Sequence, residues 1–151
     1  MVERKFVGII GNGKDKFTAL GKQRALEVIR GLIGPNVVVV SGHSPVGGID
    51  IWAEDEAKKQ GVEMMIFAPA KQKWDGGYKQ RNMEIAKKSS ELHVIVVEAY
   101  PEDYVGRRDF QCYHCFDNRP RHVRSGACWV ARIFTEMHPE RHVVYHIVSN
   151  T

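Results

Sequence analysis

The sequence predicts an α/β fold: a single doubly wound, mostly parallel, five-stranded sheet with helices on both faces. Three observations carry this. Five short apolar runs, rich in β-branched residues and without polar alternation, read as strands buried on both faces. Segments with a rough helical period separate them, so strand and helix alternate along the chain. Glycine-rich or polar turns follow the strands, where ligands of such sheets collect. The composition, 43% hydrophobic and 26% charged, is that of a folded chain rather than a disordered one. The length of 151 residues suits one domain, 1–151, with an irregular insert at 101–124.

The first strand, Lys5 to Ile10, ends in Gly11-Asn12-Gly13, with Lys14 and Lys16 close behind. This turn reads either as a phosphate loop or as a plain βα turn using glycine. Its spacing is not that of a Walker A motif, and it lacks the third glycine of a dinucleotide fingerprint. A helix is expected from about Phe17 to Leu32, broken by Gly34-Pro35-Asn36.

The second strand is four valines, Val37 to Val40, running into Ser41-Gly42. A loop, His43 to Gly47, leads through Gly48-Ile49-Asp50 into a helix that runs from Ile51 to Gln60 and stops at Gly61. A Gly-rich turn between strand and helix brings backbone N–H groups close to an anion at the positive end of the helix. The amides of Gly11 to Gly13, Gly42, Gly47 and Gly48, with Gly126 of the late Ser125-Gly126 turn, are candidate phosphate ligands; Lys14 and Arg81 are candidate phosphate anchors, and Asn82 a further candidate for the sugar or phosphate. Ser41 adds a hydroxyl, and Asp50 either caps the helix or holds a ligand hydroxyl.

Met64 to Ala68 is the third strand. The polar stretch Lys71 to Lys79 then places Trp74 and Tyr78 around Gly76-Gly77. Two aromatics flanking a glycine pair suit a cover over a base or ribose, or simply pin the loop to the body. The next helix is expected to begin near Arg81-Asn82 and end at Ser90. An arginine at a helix start opposes the macrodipole, so Arg81 is read as facing an anion. His93 to Glu98 is the fourth strand. After the insert, Ser125-Gly126-Ala127-Cys128 opens the last helix, to about Met137, and His142 to Val148 closes the sheet.

Two constellations carry chemistry. Asp50 and Glu54, with Glu98, are carboxylates near strand ends, as N-glycosidic hydrolysis needs to stabilise positive charge or activate water. Glu54 has an equally good structural reading, as an early helix residue that complements the dipole. Cys112, Cys115, His122 and Cys128 have the donor types of a structural zinc site that would staple the insert to the last helix; buried thiols are the alternative. The insert also mixes Arg107, Arg108, Arg119, Arg121 and Arg124 with Tyr104, Phe110, Tyr113 and Phe116. That mixture suits single-stranded nucleic acid, the rim of an anionic small-molecule site, or a dimer interface.

The formal net charge of +4 is compatible with either class of anion. No apolar run is long enough for a membrane span. Met1 to Lys5 passes straight into a strand, so no signal peptide is expected. The three cysteines make an odd count, which argues against a secreted disulfide framework and for a reducing cytoplasm.

The order of Ser41-Gly42, then Gly48-Ile49-Asp50-Ile51-Trp52-Ala53-Glu54, then Arg81-Asn82, then Ser125-Gly126 resembles the SLOG superfamily, the Rossmann-like group of the lonely-guy and DprA-type proteins. It is most similar to the small YspA-like branch. The resemblance spans nearly the whole chain. It implies a nucleotide-derived ligand held by loop backbones, Arg81 and Asp50 at the site, and self-association, most simply as a homodimer. The lonely-guy enzymes carry their P-G-G-x-G-T-x-x-E motif late in the fold. Here the GGIDIWAE stretch comes early, so their catalytic glutamate does not map onto Glu54. The expected function is a binding or sensor domain for a nucleotide or nucleotide-sugar. A nucleoside 5′-monophosphate N-glycosidase and a nucleic-acid module are the alternatives.

Overall fold

The computed structural model describes residues 3–108, 112 and 122–151. Its five strands are β1 (Lys5–Gly11), β2 (Val37–Ser41), β3 (Glu63–Ile66), β4 (Glu91–Val97) and β5 (Val143–Val148). They form one sheet in the order β3-β2-β1-β4-β5, and every neighbouring pair is parallel, where a mostly parallel sheet was expected. This is a Rossmann-like α/β architecture. The strand order reverses between β1 and β4, which opens a crevice beyond their carboxyl ends.

Four α-helices cover the sheet: α1 (Ala19–Leu32), α2 (Ile49–Gln60), α3 (Lys79–Lys88) and α4 (Ala127–Met137). The period of two along the strands sorts their side chains between two cores. Val39, Ile95 and Val97 face α1 and α2, packing with Ile29, Ile49 and Ala53. Val40, Val94 and Val96 face α3 and α4, packing with Ile85, Val130 and Phe134. Strands buried on both sides explain the unbroken apolar runs.

Several boundaries shift from the sequence reading, each for a local reason. Lys14–Lys16 forms a 3₁₀ turn and Phe17 is extended, so α1 starts at Ala19. Thr18 caps it, its hydroxyl accepting from Gly21 N–H at 3.0 Å. Gly48, at φ 94°, caps α2, and Asp50 sits inside the first turn, so Asp50 is not the cap. Trp74–Tyr78 winds as a wide π-type turn straight into α3, which therefore begins at Lys79 and carries Arg81 in its first turn. β4 runs Glu91–Val97 rather than His93 to Glu98, and β3 ends at Ile66, short of Ala68. The described part of the insert, 101–108, 112 and 122–124, contains no helix or strand. Among the described residues no helix is long and apolar enough to cross a membrane.

Two buried asparagines tie loops to strand ends. Asn12 accepts Val97 N–H at 2.9 Å and donates to the Arg124 carbonyl at 3.1 Å. Asn150 donates to the carbonyls of Lys16 and Ala99, both at 2.8 Å, and accepts from Thr18 N–H at 2.9 Å. Asn12→Ala leaves a buried N–H and a buried C=O without partners, at a cost of about 2–4 kcal/mol. Its melting temperature should fall by roughly 5 to 15 °C in calorimetry. Asn12→Asp keeps the acceptor for Val97 and should fall between the two.

A second prediction concerns His93 and His146, stacked across β4 and β5 with Nδ1 of the former 2.9 Å from Nε2 of the latter. Burial pushes both imidazoles below the usual histidine range, with Glu91 opposing the shift at His93 and His93 adding to it at His146. The unfolded chain therefore takes up protons first. The pair contributes stability above about pH 6.5 that is lost as the pH falls. Urea unfolding at pH 7.5 and 5.5 should show a steeper loss for wild type than for His146→Gln.

Candidate functional site

A cleft of about 640 Å³ lies at the carboxyl ends of the central strands. Its floor begins at Ile10 and Gly11, the end of β1. Lys16, Arg81, Arg107 and Arg124 supply positive charge. Asp50 is the single carboxylate among the described lining residues. Trp74, Tyr78, Tyr100 and Tyr104 supply aromatic surface. The switch-point topology thus collects cations and rings from three separate strand-to-helix connections into one place.

Arg81 and Asp50 form the centre. Asp50 is 7% exposed and accepts Ser44 N–H at 3.1 Å. Arg81 Nη1 lies 3.6 Å from Asp50 Oδ2, an ion pair too long for a hydrogen bond. The same Nη1 donates to the Gly42 carbonyl, and the guanidinium sits 5.3 Å from the Tyr78 ring centre. Arg81 Nε is buried with no acceptor among the described residues. A side chain on Gly42 would run into Arg81, so glycine here makes room for the guanidinium. Burial raises the Asp50 carboxyl to about 6, against the opposing pull of Arg81 and of the Ser44 N–H. Burial likewise lowers Arg81, and Asp50 resists that shift. A guanidinium with an unmet donor beside an acid raised to about 6 can take an anion and exchange a proton.

Glu54 is placed differently from its expected role on the helix dipole. It lies beyond the first turn of α2, 3% exposed. One carboxylate oxygen accepts from Ser41 Oγ at 2.7 Å and the other meets His43 Nδ1 at 2.8 Å. Ser41 and Glu54 together hold the His43 ring at the end of β2. His43 has a positive φ of 47° and a half-exposed side chain. Sequence reasoning passed over His43. Its signal was weak: one histidine after a strand, next to a residue whose neighbours cannot be read from sequence order.

The remaining predicted residues divide by geometry. Gly11, Asp50, Arg81, Asn82 and Gly126 line the cleft. Asn12, Gly13, Lys14, Ser41, Gly42, Gly47, Gly48 and Ser125 are not among its lining residues. The two glycine loops pack on each other instead. Gly48 lies against the backbone of 12–14, where a Cβ would meet Lys14 N at 2.6 Å. Gly47 N–H donates to Ser44 at 3.0 Å and Ile49 N–H to Asn12 at 3.2 Å, so these amides are already engaged within the protein. Lys14 extends along Gly47, whereas Lys16 reaches the cleft with its ammonium 5.1 Å from the Tyr104 ring centre. Trp74 is pinned edge-to-face on Trp129 at 4.8 Å, yet 44% exposed, so it both fastens the loop and presents a ring. Tyr100 and Tyr104 stack at 4.6 Å.

Cys112, His122 and Cys128 come together, all buried, with donor atoms within 4.8 Å of one another. Cys115, the fourth member of the expected zinc set, lies outside the described residues.

The Asp50 carboxyl should titrate with a midpoint near 6 by ¹³C NMR. Arg81→Gln removes the charge that holds it down and should move the midpoint further up. A midpoint in the ordinary aspartate range in both proteins would remove proton exchange from the chemistry of this site.

No protein-family model matches the chain, and no curated protein matches it. Among solved structures it is similar to DNA processing protein A (DprA) from Streptococcus pneumoniae, at 20% identity and a TM-score of 0.45. The match covers 61% of this chain and 41% of that one, so the chain spans well under half of that protein's length.

Proposed function

We propose that the chain binds a nucleotide or nucleotide-sugar in the switch-point cleft, as a sensor or binding domain of the cytoplasm. The observation that carries this is the Arg81–Asp50 centre: a nine-tenths buried guanidinium whose Nε–H has no acceptor among the described residues, in a cleft lined by three more cations. A phosphate accepts from a guanidinium fork bidentately and completes its donor count. Asp50 serves a sugar hydroxyl as acceptor when ionised and as donor when protonated. Trp74 and the Tyr100–Tyr104 stack give the base a surface. Anion recognition here rests on side chains more than on the glycine-loop amides. The SLOG-like motif order points to the same ligand class, and the YspA-like branch is the one we propose within it.

A second reading, N-glycosidic hydrolysis, is favoured by one observation: a lining carboxyl near 6 is suited to proton transfer at neutral pH. Asp50 is then the acid–base group, and Glu54 acts by holding His43. The nucleic-acid reading is weaker, because Arg107 and Arg124 line the same cleft as Arg81 rather than a separate surface.

The test is a thermal-shift screen against nucleoside mono- and diphosphates, ADP-ribose and cyclic dinucleotides. A ligand at a hundred times its Kd adds about 2.7 kcal/mol, a rise of roughly 5 to 10 °C. Arg81→Ala should abolish the rise and Arg81→Lys, which keeps charge without the fork, should reduce it. Chromatography of the mixtures then separates the readings. Free base released by wild type and not by Asp50→Asn means hydrolysis; a shift without release means binding alone. No shift with any compound overturns the proposal.

A further inference from the structure

We propose that Cys112, His122 and Cys128 bind a zinc ion, a site separate from the cleft and independent of its ligand. The three donors come from the described end of the insert and the first turn of α4. Cys128 Sγ is 3.6 Å from His122 Nε2. With Zn–S of about 2.3 Å and Zn–N of about 2.0–2.1 Å, the S–N edge of a zinc tetrahedron is about 3.6 Å. The Cys128–His122 pair already stands at that separation, and all three donors lie within 4.8 Å of one another.

The surroundings prepare each donor. His122 Nδ1 donates to the Val123 carbonyl at 2.7 Å, which fixes the tautomer with its lone pair on Nε2, the nitrogen facing Cys128. An imidazole oriented by a backbone carbonyl through its other nitrogen is the usual outer-shell arrangement of a metal-bound histidine. Cys112 Sγ is held in place by Ser125, accepting from its N–H at 3.4 Å and donating to its carbonyl at 3.5 Å. Cys128 is the second residue of α4, so its position is fixed by the helix. All three are 5% exposed or less, which suits a structural ion rather than a catalytic one.

Binding releases both thiol protons to solvent, and one further donor completes the tetrahedron. Softness of the ligands and the tetrahedral edge select zinc over magnesium or calcium, which take oxygen. The ion would join the insert to α4 beside Arg124 and Gly126, two residues of the cleft wall.

The experiment uses the full chain, purified under reducing conditions without chelator from zinc-supplemented cells, with no nucleotide present. Elemental analysis should find about one zinc per chain. Cobalt(II) added to the stripped protein should give a thiolate-to-cobalt charge-transfer band and the intense visible bands of a tetrahedral ion, both displaced by zinc. Cys128→Ser and His122→Ala should each lower zinc to below about a tenth per chain. Should those variants fail to fold, wild type alone decides. Zinc should protect two cysteines from alkylation, and a chelator should expose them. Less than about a tenth of a zinc per chain together with no charge-transfer band in wild type overturns the site. So does alkylation that is indifferent to zinc.

Discussion

Asn12 is the residue on which the arrangement of the cleft depends. It stands at the end of the central strand and joins three other segments. Its N–H donates to Ile95 on β4 and its carbonyl accepts from Ile49 at the start of α2. Its side chain spans Val97 at the end of β4 and Arg124 in the insert. The two sides of the switch point, the helix that carries Asp50 and the segment that carries Arg124 are therefore set by one buried amide. A parallel sheet has no short connection between neighbouring strands, so strand ends separate readily unless side chains bridge them. Here the bridge is local in space and remote in sequence.

That remoteness explains which parts were legible. Strands buried on both faces announce themselves through unbroken runs such as Val37–Val40, and alternation with helices then fixes the fold class. The carboxyl-end rule turns that class into a site, and Asp50, Arg81 and Asn82 fall within it. What sequence could not show is which of two uses a glycine serves. Gly47 and Gly48 read as a phosphate cradle, but their loop is packed on residues 12–14 and Gly48 leaves no room for a side chain. Lys14 was the expected phosphate anchor, but one 3₁₀ turn sends Lys16 to the cleft and Lys14 along Gly47. His43 depended on contacts with Ser41 and Glu54 that no spacing rule encodes. Such choices are made by packing, after the elements exist.

The electrostatics of the cleft are those of a site awaiting charge. Burying Asp50 and Arg81 costs solvation that their 3.6 Å pairing does not fully return. The residual cost is visible as an aspartic acid raised to about 6 and a guanidinium lowered from its ordinary value. A well-made internal ion pair would instead hold its carboxylate low and satisfy every N–H. An added anion at Arg81 relieves this centre, because it supplies the missing acceptor and lets Asp50 carry its proton. The same physics would make the proposed binding proton-linked. Phosphate contact at Arg81 favours the protonated acid, whereas a sugar hydroxyl that donates to Asp50 favours the ionised one, so the sign of the pH dependence reports which contact dominates.

The cleft and the Cys–His cluster are also joined mechanically. Residues 122–126 run from His122, through Val123, whose N–H extends the ladder to Val97 at 3.0 Å, to Arg124, anchored by Asn12, and Gly126. Ser125 shares its N–H with Cys112 and its hydroxyl with Ala127 N–H at 3.2 Å. His122 and Ser125 are held at the cluster, Val123 by the sheet, Arg124 by Asn12, and Gly126 by the Trp129 N–H at 3.1 Å. Arg124 and Gly126 lie in a stretch, 122–126, without helix or strand, and would otherwise lose orientation to chain entropy. The proposed zinc ion would meet a structural need that the sheet meets only at Val97 and Asn12. It would place residues 122–126 in the same category as the glycine loops, backbone oriented by what packs against it, with side chains rather than amides lining the cleft.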